Sequence, residues 1–152
     1  MSRKLLLLLL VAIAVGLSAL AIAWLARSRG CAGHSPTMDI SVSSACAHVD
    51  DTVIVTLTLR NTGCVGLGLP QYRLYVEPDA ESPVDPSRLQ PVEHSRMVKP
   101  GASDAAEFTL RAVQPGRAIL RGTASFEVHL DYPGPAYWGG STTAPLVLTV
   151  EP

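Results

Sequence analysis

Little in this 152-residue sequence points to chemistry. Aromatic residues make up only 5% of it, and 12 Lys and Arg almost balance 13 Asp and Glu. Such a balance offers no basic footprint for nucleic acid. There is no G-x-S-x-G, no H-E-x-x-H and no phosphate-cradling glycine loop ahead of a helix. His34, His48, His94 and His129 are scattered, and Cys46, Met38 and Met97 do not join them in the single late loop that electron-transfer copper sites use. No catalytic residue, cofactor or metal is therefore expected, and the chain is read as a non-enzyme.

The absences are unevenly spread. No proline precedes Pro36 and no acid precedes Asp39. From Leu5 to Ala26 the chain carries no charge at all, and Arg3, Lys4, Arg27 and Arg29 bracket the stretch. The body beyond holds eight basic residues against all thirteen acidic ones. An α-helix over residues 5–26 would span about 33 Å, enough for a hydrocarbon core of about 30 Å. Trp24 sits near its distal end, where an indole suits the headgroup boundary. A cleaved signal has a shorter apolar region and small residues at its cleavage site. Here the run ends in Arg27-Ser28-Arg29, so residues 1–29 are expected to be a retained signal anchor. Lipidation at Cys31 after cleavage is the alternative, though Arg29 fits that pattern poorly. The basic residues on both sides leave orientation nearly tied. A short N-terminal tail and a strand-rich, acidic body favour the cell membrane with the C-terminal domain outside the cytoplasm.

After a linker at residues 30–37, strand signals recur at turn-bounded intervals. Expected strands cover 38–49, 52–60, 71–77, 88–98, 105–112, 117–130 and 144–150, with Pro91 confining the fourth to an edge. The clearest is 52–60. Val53, Val55, Leu57 and Leu59 face one way, and Thr52, Thr56, Thr58 and Arg60 the other, with Ile54 the one apolar residue outside. Residues 63–70 and 132–140 read as glycine-rich loops. The fold class is all-β: over residues 38–152, a seven-stranded immunoglobulin- or fibronectin-III-like sandwich behind one N-terminal transmembrane helix. No tryptophan on the third strand and no inter-sheet cysteine pair mark it, so the core is expected to hold by packing alone.

The run Asp51-Thr52-Val53-Ile54-Val55-Thr56-Leu57-Thr58-Leu59-Arg60-Asn61-Thr62-Gly63 resembles the opening of prokaryotic surface Ig-like modules of the cell-adhesion-related type. Lys99-Pro100-Gly101, Phe108-Thr109-Leu110 and Gln114-Pro115-Gly116 extend the likeness over roughly residues 38–150. The motifs shape backbone rather than perform chemistry. The resemblance implies the fold and, for a single copy on an anchor, an accessory or scaffold role.

The cysteines depend on register. If Val49 pairs with Thr52 across an Asp50-Asp51 turn, Cys46 faces Val55 and is a buried free thiol. Cys64 then lies about 30 Å from it at about 3.3 Å per residue, too far for a bridge. That leaves a Cys31–Cys64 disulfide or none. Tyr132, Tyr137 and Trp138 fall in one Gly/Pro-rich loop, where large rings with few rotors suit contact. They fold back as a lid over the sandwich, serve as partner- and membrane-contact residues together with Trp24, or form a sugar-binding patch. Ig-like topology puts that loop at the end where the linker enters.

The expected function is a non-catalytic, membrane-anchored, extracytoplasmic accessory subunit. Its partners would be the bilayer, through residues 5–26, and a larger membrane- or envelope-protein assembly. A pilin- or archaellin-like filament subunit is one rival, opposed by the lack of a processing glycine before the leucines. A periplasmic metal- or ligand-carrying lipoprotein is another, opposed by the lack of a ligand cluster.

Overall fold

The computed structural model describes residues 13–22, 36–77, 82–87, 89–129 and 137–152. The chain divides into two compact units, Met1–His34 and Ser35–Pro152. In the first, residues 13–22 are helical, and Ser18 Oγ donates to the Ala14 carbonyl 2.8 Å away, one turn back. Ile13, Val15, Leu17, Leu20 and Ile22 are all exposed, so this stretch is apolar on every side. Among the described residues no helix is long and apolar enough to cross a membrane.

The second unit is a two-sheet β-sandwich. Its described strands are β1 (Thr37–Val42), β2 (Cys46–His48), β3 (Thr52–Arg60), β4 (Gly66–Glu77), β5 (Val92–Glu93), β6 (Ser103–Arg111), β7 (Gly116–His129), β8 (Tyr137–Thr142) and β9 (Leu146–Glu151). One sheet has the order β1-β3-β6, and the other β2-β9-β7-β4-β5 with β8 also on β7. All pairings are antiparallel except β2 with β9.

The period-two pattern of β3 does what it dictates. Val53, Val55, Leu57 and Leu59 are at most 1% exposed, and Ile54 is exposed on the outer face. They meet Ala106, Phe108 and Leu110 from β6 and Tyr72, Leu74, Leu120, Phe126 and Leu148 from the facing sheet in one core. Gly122 lets the sheets close. A Cβ there would stand 2.4 Å from a methyl of fully buried Leu57.

Several expected elements are redrawn. Residues 38–49 are not one strand. β1 pairs with β3, Val42 facing Val55, until Ser43 Oγ accepts from the Ile54 amide at 3.1 Å. The chain then crosses to the other sheet, where β2 runs beside β9. The inward phase changes with it, from Met38 on even numbers to Ala47 on an odd one. Cys46 therefore does not face Val55 and is not buried; it is an exposed free thiol on β2. The supposed glycine loop is partly strand, because β4 begins at Gly66 and absorbs a bulge between Gly68 and Gln71. Leu69, in the bulge, takes φ 48° and is exposed. The edge strand expected at 88–98 shrinks to two residues, as Pro91 forbids a longer ladder. The aromatic loop is strand from Tyr137 onward, pairing with β7, with Val128 opposite Tyr137.

β8 and β9 lie in succession along the same edge of β7. Between them the Thr143 amide donates to the Gly122 carbonyl at 2.9 Å, and the Gly122 amide donates to Thr143 Oγ1 at 3.0 Å. That exchange stitches the break where one strand would otherwise slip.

Facing assignments are checked by charge insertion. Val55→Asp or Leu57→Asp should unfold the sandwich, since an unpaired buried carboxylate costs several kcal/mol against about 5–15 kcal/mol for a whole domain. Thr56→Asp, on the outer face opposite Glu107, should cost only about 1 kcal/mol of like-charge repulsion. Equal loss in urea melts of all three would contradict the register.

Candidate functional site

Two features at one end of the sandwich stand out, a buried polar cluster and an exposed aromatic pair. That end is defined by pairings: Thr37 with Arg60, Arg60 with Ser103, Gly66 with His129, and Tyr137 with Val128. Glu151 and the Asp50 turn lie at the other end, where the Val49 amide donates to the Glu151 carbonyl.

The polar cluster begins with the alternation of β6. Leu110, Phe108 and Ala106 point inward, and one step further so does Asp104, only 3% exposed. Its Oδ2 accepts from the Tyr72 hydroxyl at 2.9 Å and faces His94 Nδ1 at 2.5 Å. Its Oδ1 accepts from both Arg96 Nε, at 2.8 Å, and Arg96 Nη2. The Tyr72 and His94 rings meet edge to face, centroids 5.5 Å apart. Burial pushes the Asp104 carboxyl upward, but the hydrogen bonds from His94, Arg96 and Tyr72 outweigh it and hold the group below the usual carboxylate range. Burial, followed by the bond to Asp104, pushes the Tyr72 phenol well above its ordinary value. The expectation of a core held by packing alone is thus corrected.

Fully buried Asn61 works beside it. Its Nδ2 donates to the carbonyls of Val65 and Val98 at 2.7 and 2.9 Å, and its Oδ1 accepts from the Gly63 amide at 3.0 Å. Together Asn61 and Asp104 fasten the 61–65 and 94–101 segments to the sheets. No buried side-chain nitrogen or oxygen among the described residues lacks a partner. A carboxylate this saturated has no free lone pair aimed at a substrate, so the cluster reads as a clamp.

Tyr137 and Trp138 are 55% and 59% exposed, so neither folds back as a lid. Gly139 supports their strand: a Cβ there would stand 2.7 Å from the ring of Phe126, which packs across the vacant position. Close by, Ser141 Oγ donates to the Pro36 carbonyl at 3.2 Å, tying β8 to the start of the sandwich. Trp24, Cys31 and Tyr132 lie outside the described residues. Cys64 is disulfide-bonded and Cys46 is free. No group of three or more His, Cys, Asp or Glu able to hold a metal ion occurs among the described residues. The sequence reading named Tyr137 and Trp138, which are exposed, and missed Asp104, although extending the alternation of β6 one step places it inside.

The clamp has a pH signature. A depressed carboxyl stabilises the fold above its unfolded value near pH 3.8, and that contribution fades as pH falls through the lower folded value. The wild type should lose stability steeply below about pH 4. Asp104→Asn should flatten that limb while costing about 1–3 kcal/mol at neutral pH, the scale of lost hydrogen bonds to a buried carboxylate, since the Arg96 side chain left behind is largely exposed. An Asn variant as stable as wild type in denaturant titrations at pH 7 would contradict the clamp.

No family model matches the sequence, and no curated protein matches it. Among solved structures, a CARDB domain from Pyrococcus furiosus, crystallised in complex with di-metal ions, is similar with a TM-score of 0.50. Identity is 13%, over 77% of this chain and 88% of that one. The solution structure of the same domain gives a TM-score of 0.48 at 14% identity, over 76% and 94% of the two chains. Likeness at this identity speaks to fold alone: an all-β sandwich of two sheets.

Proposed function

We propose that the chain is a non-catalytic accessory subunit, held in the cell membrane by residues 5–26, with its Ig-like sandwich outside the cytoplasm and docked on a larger membrane or envelope assembly. The observation that carries this reading is the placement of Tyr137 and Trp138. Both rings are exposed on the strand that bonds to Pro36, where the chain enters the sandwich. In the sequence, only residues 27–35 separate the apolar run from that point. At no more than about 3.6 Å per residue, that stretch bounds how far along the chain Pro36 can stand from the end of the apolar run.

Three further observations support the reading. Residues 13–22 are apolar all round and exposed, a surface that suits lipid better than water. Cys64 is disulfide-bonded, which suits an oxidising compartment. With Cys46 free on the surface, Cys31 is the partner we assign to Cys64. The polar atoms buried in the sandwich are spent on holding segments in place, which suits a binding module better than a catalyst.

Membranes washed at alkaline pH should retain the chain, and the intact mass of the extracted protein should include residues 5–26. Protease added from outside should digest the sandwich. A non-reducing digest should yield a peptide linking Cys31 to Cys64, with Cys46 alkylated without reductant. A mature N-terminus at a lipidated Cys31 would overturn the anchor, and a protected sandwich would overturn the orientation.

A further inference from the structure

Register sends the two rings of β8 to opposite sides of its sheet. Tyr137 lies opposite Val128, which is buried in the core, whereas Trp138 lies opposite Glu127 on the outer face. A second exposed ring shares the face of Trp138. Tyr75 on β4, 48% exposed, pairs with Arg121, six residues along β7 from Glu127. The two ring-bearing positions stand about 20 Å apart along the strands and about 10 Å apart across them.

Two complete cross-strand rows separate the rings: Gln71, Ser125 and Gly140, then Arg73, Thr123 and Thr142. None of these six is buried. Apart from Arg73, the rows offer only hydroxyls, one amide and a glycine. That glycine has no internal cause. A Cβ at Gly140 would meet only the Ala124 carbonyl, at an ordinary 3.5 Å, whereas Gly122 and Gly139 each have a side chain within 3 Å of that position. Its φ is not positive, unlike those of Gly101 and Gly116. Glycine weakens a strand interior and occurs there at bulges, at bends or where a ligand comes close to the backbone. The β7–β8 pairing runs through Gly140 without a shift in register, which leaves close approach. At the other end of the rows, a cleft of about 310 Å³ opens beside Arg73 and Tyr75, walled by Leu89, Gln90 and Pro91.

Charge narrows the class of ligand. Around these rows the described charges are Arg73 and Arg121 against Glu77, Glu93 and Glu127, with Arg121 paired to Glu77. A face this near to neutral has no run of cations for a polyphosphate or an anionic bilayer. A protein partner would find hydroxyls where the centre of an interface is ordinarily apolar. A sugar polymer suits both features. Its pyranose C–H faces pack on aromatic rings, which combine a large apolar surface with a polar tip, and its hydroxyls pair with amide, guanidinium and hydroxyl groups.

We propose that the outer face of β8, β7 and β4 binds a neutral polysaccharide chain, laid diagonally from Trp138 to Tyr75 over Gly140, with Gln71 and Arg73 bonding its hydroxyls. The proposal rests on the reading above in placing the sandwich outside the cytoplasm, where it meets the polymers of the envelope.

The test uses the full chain in a detergent without a sugar headgroup. Its probes are immobilised cellulose, chitin, xylan, mannan and laminarin, with heparin as the polyanionic control. At least one neutral polymer should retain the chain at high salt. With Trp24→Phe, which leaves Trp138 as the one tryptophan, the matching soluble oligosaccharide should shift the emission. Trp138→Ala and Tyr75→Ala should each weaken retention about ten-fold or more. Gly140→Val should weaken it as much while leaving urea melts no worse, since β-branched side chains suit strands. Ile54→Ala, exposed on the other sheet, should leave retention unchanged. Retention by none of the neutral polymers, or by heparin alone, would overturn the proposal, as would retention that the three variants on this face leave intact. In each case the anchored reading stands. A sandwich protected from external protease would overturn that reading and leave the measured binding as it is.

Discussion

One buried carboxylate governs how this sandwich is closed at the end where the chain enters. Asp104 points inward from β6 and accepts from Tyr72 on β4, in the other sheet, and from Arg96. It thereby joins both sheets and the segment that crosses between them. An ion in this position is costly to desolvate and stabilises little compared with a well-packed apolar group. What it supplies is direction, since its donors must come from fixed places. Tyr72 is held by its ring in the core, and His94 and Arg96 are drawn in from the surface. With Asn61 gripping Val65 and Val98, a stretch having only two residues of β-ladder is set in one conformation.

That rigidity bears on placement. Met97 and Lys99 follow directly on the clamped residues, and β8, with its aromatic pair, is fixed to Pro36 and to the edge of β7. Three separate segments are therefore held in fixed positions at one end.

Much of this was legible in the sequence because the core is written in a period of two. β3, β6 and the first half of β7 declare their inner faces residue by residue, and Pro100-Gly101 and Pro115-Gly116 mark the turns. The misread places share a cause: each depends on pairing between distant strands, which local alternation does not reveal. Val42 and Ala47 both point inward, yet five residues apart they cannot belong to one regular strand; that phase change was the signal for the sheet switch, and Cys46 was misplaced because it was passed over. Gly66 to Pro70 looks like a loop because its glycines and bulge are tolerated only by virtue of the β7 partner. Tyr137 and Trp138 stood out as contact residues by type, while their strand, beginning in a Gly-rich run, became a strand only through β7. Asp104 was legible from its phase, but its partners, eight to thirty-two residues away, were not.

The clamp is tested most directly by amide hydrogen exchange in the intact chain. The Val98 amide donates to the Leu67 carbonyl at 2.7 Å, in the segment that Asp104 fastens through Arg96. Asp104→Ala should raise exchange at Val98 by about ten-fold or more while the β3 amides, deep in the core, stay as protected as in the wild type. Unchanged protection at Val98 in that variant would contradict the account.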